Sequence, residues 1–144
     1  MAFPYVEITR REEFSAAHRL HNPALSDEEN RHLYGICNNA NGHGHNYAVE
    51  VTVRGEVPTA TGMVMDLNRL TLVLHEELIS QVDHKHLNHD VPFLAGVIPT
   101  AENVAIAFWK RLEERLKGFE GCRLHRVRVC ESRNNFVDYH GPAT

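Results

Sequence analysis

His43 and His45 stand two apart in Asn41-Gly42-His43-Gly44-His45-Asn46-Tyr47. On an extended strand, residues two apart project from the same face, so both imidazoles can reach one metal ion. Gly44 between them leaves the opposite face unobstructed. Tyr47, Val49, Val51 and Val53 keep the same parity, which puts the pair on the buried face of its strand. His18 ends a second alternation in which Phe14 and Ala16 are in phase with it, so it too points inward. Three neutral imidazoles are the ligand set of a catalytic zinc, which keeps one position open for water or substrate. The competing reading is a trio of hydrogen-bonded core histidines, each of which needs a polar partner of its own.

Other residues around this trio carry chemistry of their own. Cys37 precedes His43 with five residues between them, on the segment that delivers the ligand pair. It is either a fourth ligand that closes a structural site, or an acid/base or nucleophile over the metal, whose charge favours thiolate. Asp83-His84 has the composition of a carboxylate that orients an imidazole, although neighbours in sequence rarely join side chain to side chain. Glu131 shares parity with Val127 and Val129, so an alternating strand aims its carboxylate inward, where it needs donors. An amino-heterocycle with two adjacent N–H groups would supply them. Thr100 and Glu102 are explained as the N-cap and first turn of a helix.

These side chains require strands and helices to hold them. Val6 to Leu20 reads as a strand, with room for a bulge at Arg10-Arg11-Glu12-Glu13. Asn22 to Asn41 has no clean period and reads as a long excursion, a form usually tied to function. His43 to Glu56 is the second strand, followed by turn chemistry from Pro58 to Gly62. Asp66 caps a helix running to about Val82, with Leu67, Leu70, Leu74 and Leu78 as its apolar stripe. Val82 to Pro99 is irregular. Thr100 caps a second helix with Ala101, Val104, Ala105, Phe108, Leu112 and Leu116 on one face, stopped by Gly118. Leu124 to Glu131 and Asn135 to His140 are the last strands. The order β-β-α-α-β-β predicts an α+β fold, a four-stranded antiparallel sheet with both helices on one face. Such a sheet leaves two edges, and a valine-bearing face, in need of cover, which rings of subunits pairing edge to edge would provide.

At 144 residues, 42% hydrophobic and 24% charged, residues 1–144 read as a single domain with a core of adequate size. A formal net charge of -4 argues against nucleic-acid or anionic-membrane partners. Three cysteines, without an apolar leader or a membrane-length apolar run, suggest a reducing cytoplasmic setting.

Several blocks together carry a resemblance. They are Phe14-Ser15-Ala16-Ala17-His18-Arg19-Leu20, Leu25-Ser26-Asp27-Glu28-Glu29-Asn30, Cys37-Asn38-Asn39 through Gly42-His43-Gly44-His45-Asn46-Tyr47, Thr61-Gly62-Met63-Val64-Met65, Val82-Asp83-His84-Lys85 and Thr100-Ala101-Glu102-Asn103-Val104. From about Glu12 to Gly141 the chain resembles the 6-pyruvoyl-tetrahydropterin synthase family. The resemblance implies the tunnelling fold (T-fold), assembled as a β-barrel oligomer of stacked trimers, a homohexamer with active sites between subunits. It implies one Zn2+ per subunit on His18, His43 and His45, Cys37 as catalytic thiol, and Asp83 with His84 as relay. It makes Glu131 the pterin anchor and keeps Thr100 and Glu102 as substrate-side candidates. The implied reaction is a carbon–oxygen lyase step of tetrahydrobiopterin-type pterin biosynthesis. In it, 7,8-dihydroneopterin triphosphate, with Mg2+ on its triphosphate, loses triphosphate and becomes 6-pyruvoyl-tetrahydropterin. No dinucleotide fingerprint is present, in keeping with an internal redox shift. The five-residue gap between Cys37 and His43 separates this chain from the related 6-carboxytetrahydropterin synthases of deazapurine (queuosine) biosynthesis, the first alternative. A non-catalytic zinc- or pterin-binding module is the second. Two departures from the family pattern stand out: a longer connection from Gly118 to Arg123, and Pro99 ahead of Thr100.

Overall fold

The computed structural model describes residues 4–143. The first two strands, β1 (Tyr5–His18) and β2 (His43–Glu56), pair antiparallel along their whole length, from Tyr5 opposite Glu56 to His18 opposite His43. That ladder contains no bulge at Arg10 to Glu13, contrary to the sequence expectation. The irregularity lies elsewhere: β4 (Cys122–Cys130) slips by one residue against β2 at Thr52/Val53, which leaves His125 as the extra residue. The strand β5 (Phe136–Tyr139) closes that side, and Arg128 grips Asp138 across it with two hydrogen bonds of 2.6 and 2.9 Å.

The sheet has five strands rather than four, in the order β3-β1-β2-β4-β5. The added strand, β3 (Lys85–His86), runs parallel to β1 at Ala16 and Ala17. Two residues cannot announce a strand by periodicity. They are held here by main-chain bonds from His84 N–H to Ser15 O and from Leu87 N–H to Ala17 O. Asn88 continues the ladder with its side chain, its amide accepting from Arg19 N–H and donating to Arg19 O, both at 2.8 Å.

The excursion is also more ordered than its composition suggests. It holds α1 (Asp27–Tyr34) and a 3-10 turn at Gly35–Asn38. α1 has a capping box, with Ser26 accepting from Glu29 N–H and Glu29 reaching back to Ser26. Its buried residue is polar: Asn30 is fully enclosed, donating to the carbonyls of Asn22, Leu25 and Ser26 while accepting from Asn22 N–H.

Helical structure from α2 (Leu67–Leu74) continues to Val82 through a π-helical stretch (His75–Ile79) and the short α3 (Ser80–Val82). Asp66 caps it at Asn68 N–H. Leu70, Leu74 and Leu78 are fully buried, but Leu67 is 48% exposed and falls outside the stripe. The π-helical turn is tied to α4 (Ala101–Leu116), because Arg111 donates to the carbonyl of Glu77 and, with Arg115, pairs with the Glu77 carboxylate. α4 buries the whole predicted face and ends at Leu116, capped by Lys117 just ahead of Gly118.

Val49, Val51, Val53, Val127 and Val129 are fully buried in the core they share with Leu70, Val104, Phe108 and Leu112. The valine face is therefore covered by the chain's own helices, not by another subunit. The opposite face is polar: Thr9 bonds Thr52, and Glu50 joins Arg11 to Arg126. One long edge stays open, since β3 covers β1 only at Ala16 and Ala17. No helix among the described residues is long and apolar enough to cross a membrane.

Candidate metal centre and surrounding site

The period-2 pattern brings the three histidines together at the end of the β1–β2 ladder. His18 faces His43 and Ala16 faces His45 across the strands. One ring nitrogen from each of the three histidines lies within 4.8 Å of the other two. His18 Nε2 and His43 Nε2 approach to 3.1 Å, and the three rings meet edge to face with centroids 4.7 to 5.1 Å apart. His18 is almost wholly buried, its Nδ1 2.7 Å from Pro99 O. A carbonyl only accepts, so Nδ1 carries the proton and the lone pair of Nε2 faces the cluster.

Two nitrogens, His43 Nδ1 and His45 Nε2, are buried with no hydrogen-bond partner among the described residues. Burial pushes the pKa of His18 and of His45 below the ordinary imidazole value. The neutral form thus favoured is the one that binds metal. Converging nitrogen lone pairs and an orphaned buried nitrogen fit an ion held by three imidazoles. Hydrogen bonds satisfy His18 and the Nε2 of His43, but leave His43 Nδ1 and His45 Nε2 without a partner among the described residues.

Glu131 lies one residue beyond the end of β4, and its side chain is 27% exposed, so the strand does not bury it. Its Oε1 nonetheless stands 3.6 Å from His45 Nε2, and its charge also acts on His18 and Tyr47. The expected inward direction holds and the expected depth does not.

Cys37 is a half-buried free thiol in the 3-10 turn. Its carbonyl accepts from Leu20 N–H at 2.9 Å, and the neighbouring Asn38 donates to Leu20 O. Leu20 is two residues past His18, so these bonds anchor the thiol's turn beside the end of β1. Asp83 and His84 do meet side chain to side chain, contrary to the sequence expectation. The Nδ1–H of His84 donates to Asp83 Oδ1 at 3.0 Å, and Ser15 N–H donates to the same oxygen at 2.9 Å. What makes this possible is the left-handed backbone of His84, φ 61°, uncommon outside glycine. The Ser15 amide first, and His84 after it, hold the Asp83 carboxyl below its ordinary range.

Ser15 is out of phase with His18, and His84 borders a groove with Ser15, Gly44, His45, Asn46 and Lys85. Among the described residues, no hydrogen bond joins Cys37, Asp83 or His84 to the three histidines. Thr100 caps α4 through Asn103 N–H, and Glu102 is exposed in the first turn. Their helix-terminal roles account for both.

Sequence reasoning misses Tyr47 and the Pro99 carbonyl. Tyr47 reads as another core residue in the strand alternation, yet its Oη lies 3.2 Å from His18 Nδ1. The signal was its parity with the two histidines. The carbonyl of Pro99 carries no signal in sequence, because every residue has one.

The model of the 6-pyruvoyl tetrahydropterin synthase family matches residues 7–142. The human 6-pyruvoyl tetrahydrobiopterin synthase is 50% identical over 135 residues, 94% of this chain and 91% of the human protein. The Drosophila melanogaster enzyme of the same name is 44% identical over 139 residues, 96% of this chain and 82% of its own. The structure of the Caenorhabditis elegans 6-pyruvoyl tetrahydropterin synthase superposes with a TM-score of 0.92 at 41% identity, covering 99% of each chain. Matches of this extent span the histidine cluster, the excursion that carries Cys37 and the Asp83–His84 pair alike: the chain belongs to the 6-pyruvoyl tetrahydropterin synthase family.

Proposed function

We propose that the protein converts 7,8-dihydroneopterin triphosphate to 6-pyruvoyl-tetrahydropterin, eliminating triphosphate, with one Zn2+ held by His18, His43 and His45. The observation that carries this reading is the convergence of three imidazole nitrogens within 4.8 Å, with a buried nitrogen left unpartnered. Family membership supplies the chemistry to which that cluster is put. When bound, zinc supplies Lewis acidity toward the oxygens of the substrate side chain, making neighbouring C–H and O–H bonds more acidic. Cys37 takes a proton as base, and His84, oriented by Asp83, moves protons during the tautomerisation that follows loss of triphosphate. Glu131 receives the pterin's 2-amino group and ring N–H on its two carboxylate oxygens. Thr100 and Glu102 lie at the α4 terminus that abuts His18 through Pro99 and border the pterin there. Mg2+ accompanies the triphosphate.

The open edge of β1 supports active sites built between subunits, in a homohexamer of two trimers. A cytoplasmic setting suits the three free thiols.

The test is to incubate the purified protein with zinc, Mg2+ and dihydroneopterin triphosphate and to identify the product by mass. The 6-pyruvoyl product with free triphosphate is expected. A 6-carboxy product with acetaldehyde would replace this reading by the deazapurine-pathway one. Zinc retained without turnover would leave only a binding module.

A further inference from the structure

Resting on the reading that the three histidines hold zinc, we propose that Tyr47 is a positioning residue of the metal centre, its hydroxyl sharing with the Pro99 carbonyl the task of fixing His18. Tyr47 is 1% exposed and stacks on Phe14 at a centroid distance of 4.9 Å with the rings 6° apart. A phenylalanine would fill the same space and stack as well, without burying a hydroxyl. That hydroxyl therefore costs stability unless it does something.

Its one hydrogen-bond partner among the described residues is His18 Nδ1, at 3.2 Å. Nδ1 also lies 2.7 Å from Pro99 O, which can only accept. One Nδ1–H thus faces two acceptors, the carbonyl closer and the phenol oxygen farther. The two acceptors approach from different elements, β2 and the residue before the α4 N-cap. With both contacts on Nδ1, the ring cannot flip about its Cβ–Cγ bond without losing both. Its Nε2 lone pair is thereby kept on the side of His43 Nε2, 3.1 Å away. Outer contacts of this kind fix the tautomer and aim of a ligating imidazole, and their loss typically weakens metal affinity about 10–100-fold. β2 therefore carries, at alternate positions, two ligands and then the group that aims the third.

The test compares zinc affinity in wild type, Tyr47→Phe and Phe14→Leu, each stripped with a chelator and titrated against a chromophoric zinc competitor. The visible spectra of the Co2+-loaded proteins are recorded alongside. Tyr47→Phe is expected to lose about 10–100-fold in zinc affinity and to shift the Co2+ bands, with an unchanged melting temperature when metal-free. Phe14→Leu loosens the same stack but keeps the hydroxyl, so it should melt lower while holding zinc as wild type does. Equal zinc affinity in wild type and Tyr47→Phe would overturn the proposal, as would equal losses in the two variants. A wild-type protein that takes up neither ion would instead overturn the metal reading on which the proposal stands.

Discussion

The roles proposed for Cys37 and Asp83 make separable demands on turnover. If Cys37 is the base, as proposed, Cys37→Ala should keep metal content and pterin binding while turnover falls roughly 10²–10⁴-fold. Loss of metal in that variant would identify Cys37 as a fourth ligand instead. Asp83→Asn should be milder, because the amide oxygen can still accept from Ser15 N–H and only the hold on His84 weakens. On the proposed role of Glu131, Glu131→Gln takes one charged acceptor from the pterin and should weaken pterin affinity by about 1–3 kcal/mol at unchanged metal content. Equal affinities would mean that the carboxylate serves His45 alone. At this scale the clustering of the three histidines was legible because parity is a property of sequence. The Asp83–His84 contact was not, since it depends on a left-handed φ at a histidine, and no residue type spells that out.

Gly42 shows how an element can be decided by a missing atom. Its φ is 76°, and an added Cβ would lie 2.9 Å from both His18 O and His86 Nε2. Gly42→Ala should therefore destabilise the protein by about 1–3 kcal/mol in denaturant unfolding. Gly44→Ala meets only Ala16 O, at an ordinary 3.7 Å, and should be near neutral for stability. Similar values for the two variants would contradict this account. Among the elements, β1, β2 and α4 follow from periodicity almost to the residue. α1 escapes that approach because its core-facing residue is Asn30, so it has no apolar stripe to find. The signal that remains is the Ser26-x-x-Glu29 capping box. The π-helical turn is invisible locally, because it is held by Arg111 and Arg115 from a distant helix.

The molecule as a whole presents a long unpaired edge along β1 and a short one along β5. Strand edges of that length seek partners, so light scattering at micromolar concentration should report an oligomer; a well-behaved monomer would contradict the ring assembly. The β5 edge also responds to acid. Hydrogen bonds from Arg128 hold the Asp138 carboxyl below its ordinary value of 3.8. In the folded protein the carboxylate stays charged at a pH where the unfolded chain already binds a proton. Its contribution to stability is thus complete above that ordinary value and lost as pH falls through the lower folded one. Asp138→Asn should lose stability at neutral pH and converge on the wild type at low pH, and so flatten the acid limb of the stability curve. An unaltered acid limb would show that the pair has no weight.

The bond between Leu20 and Cys37 has a bearing on how this chain can tolerate change in length. It forms an outer clasp, and the His18–His43 rung forms an inner one. Residues 21–36 loop out beyond the outer clasp, while only 38–42 separate the thiol from His43. Lengthening the outer loop costs little, since closure entropy grows slowly with loop size, and it leaves the thiol where it is. A residue gained or lost within 38–42 shifts the thiol against the histidine cluster directly. Insertions thus have one permitted address in the excursion and one forbidden, a few residues apart.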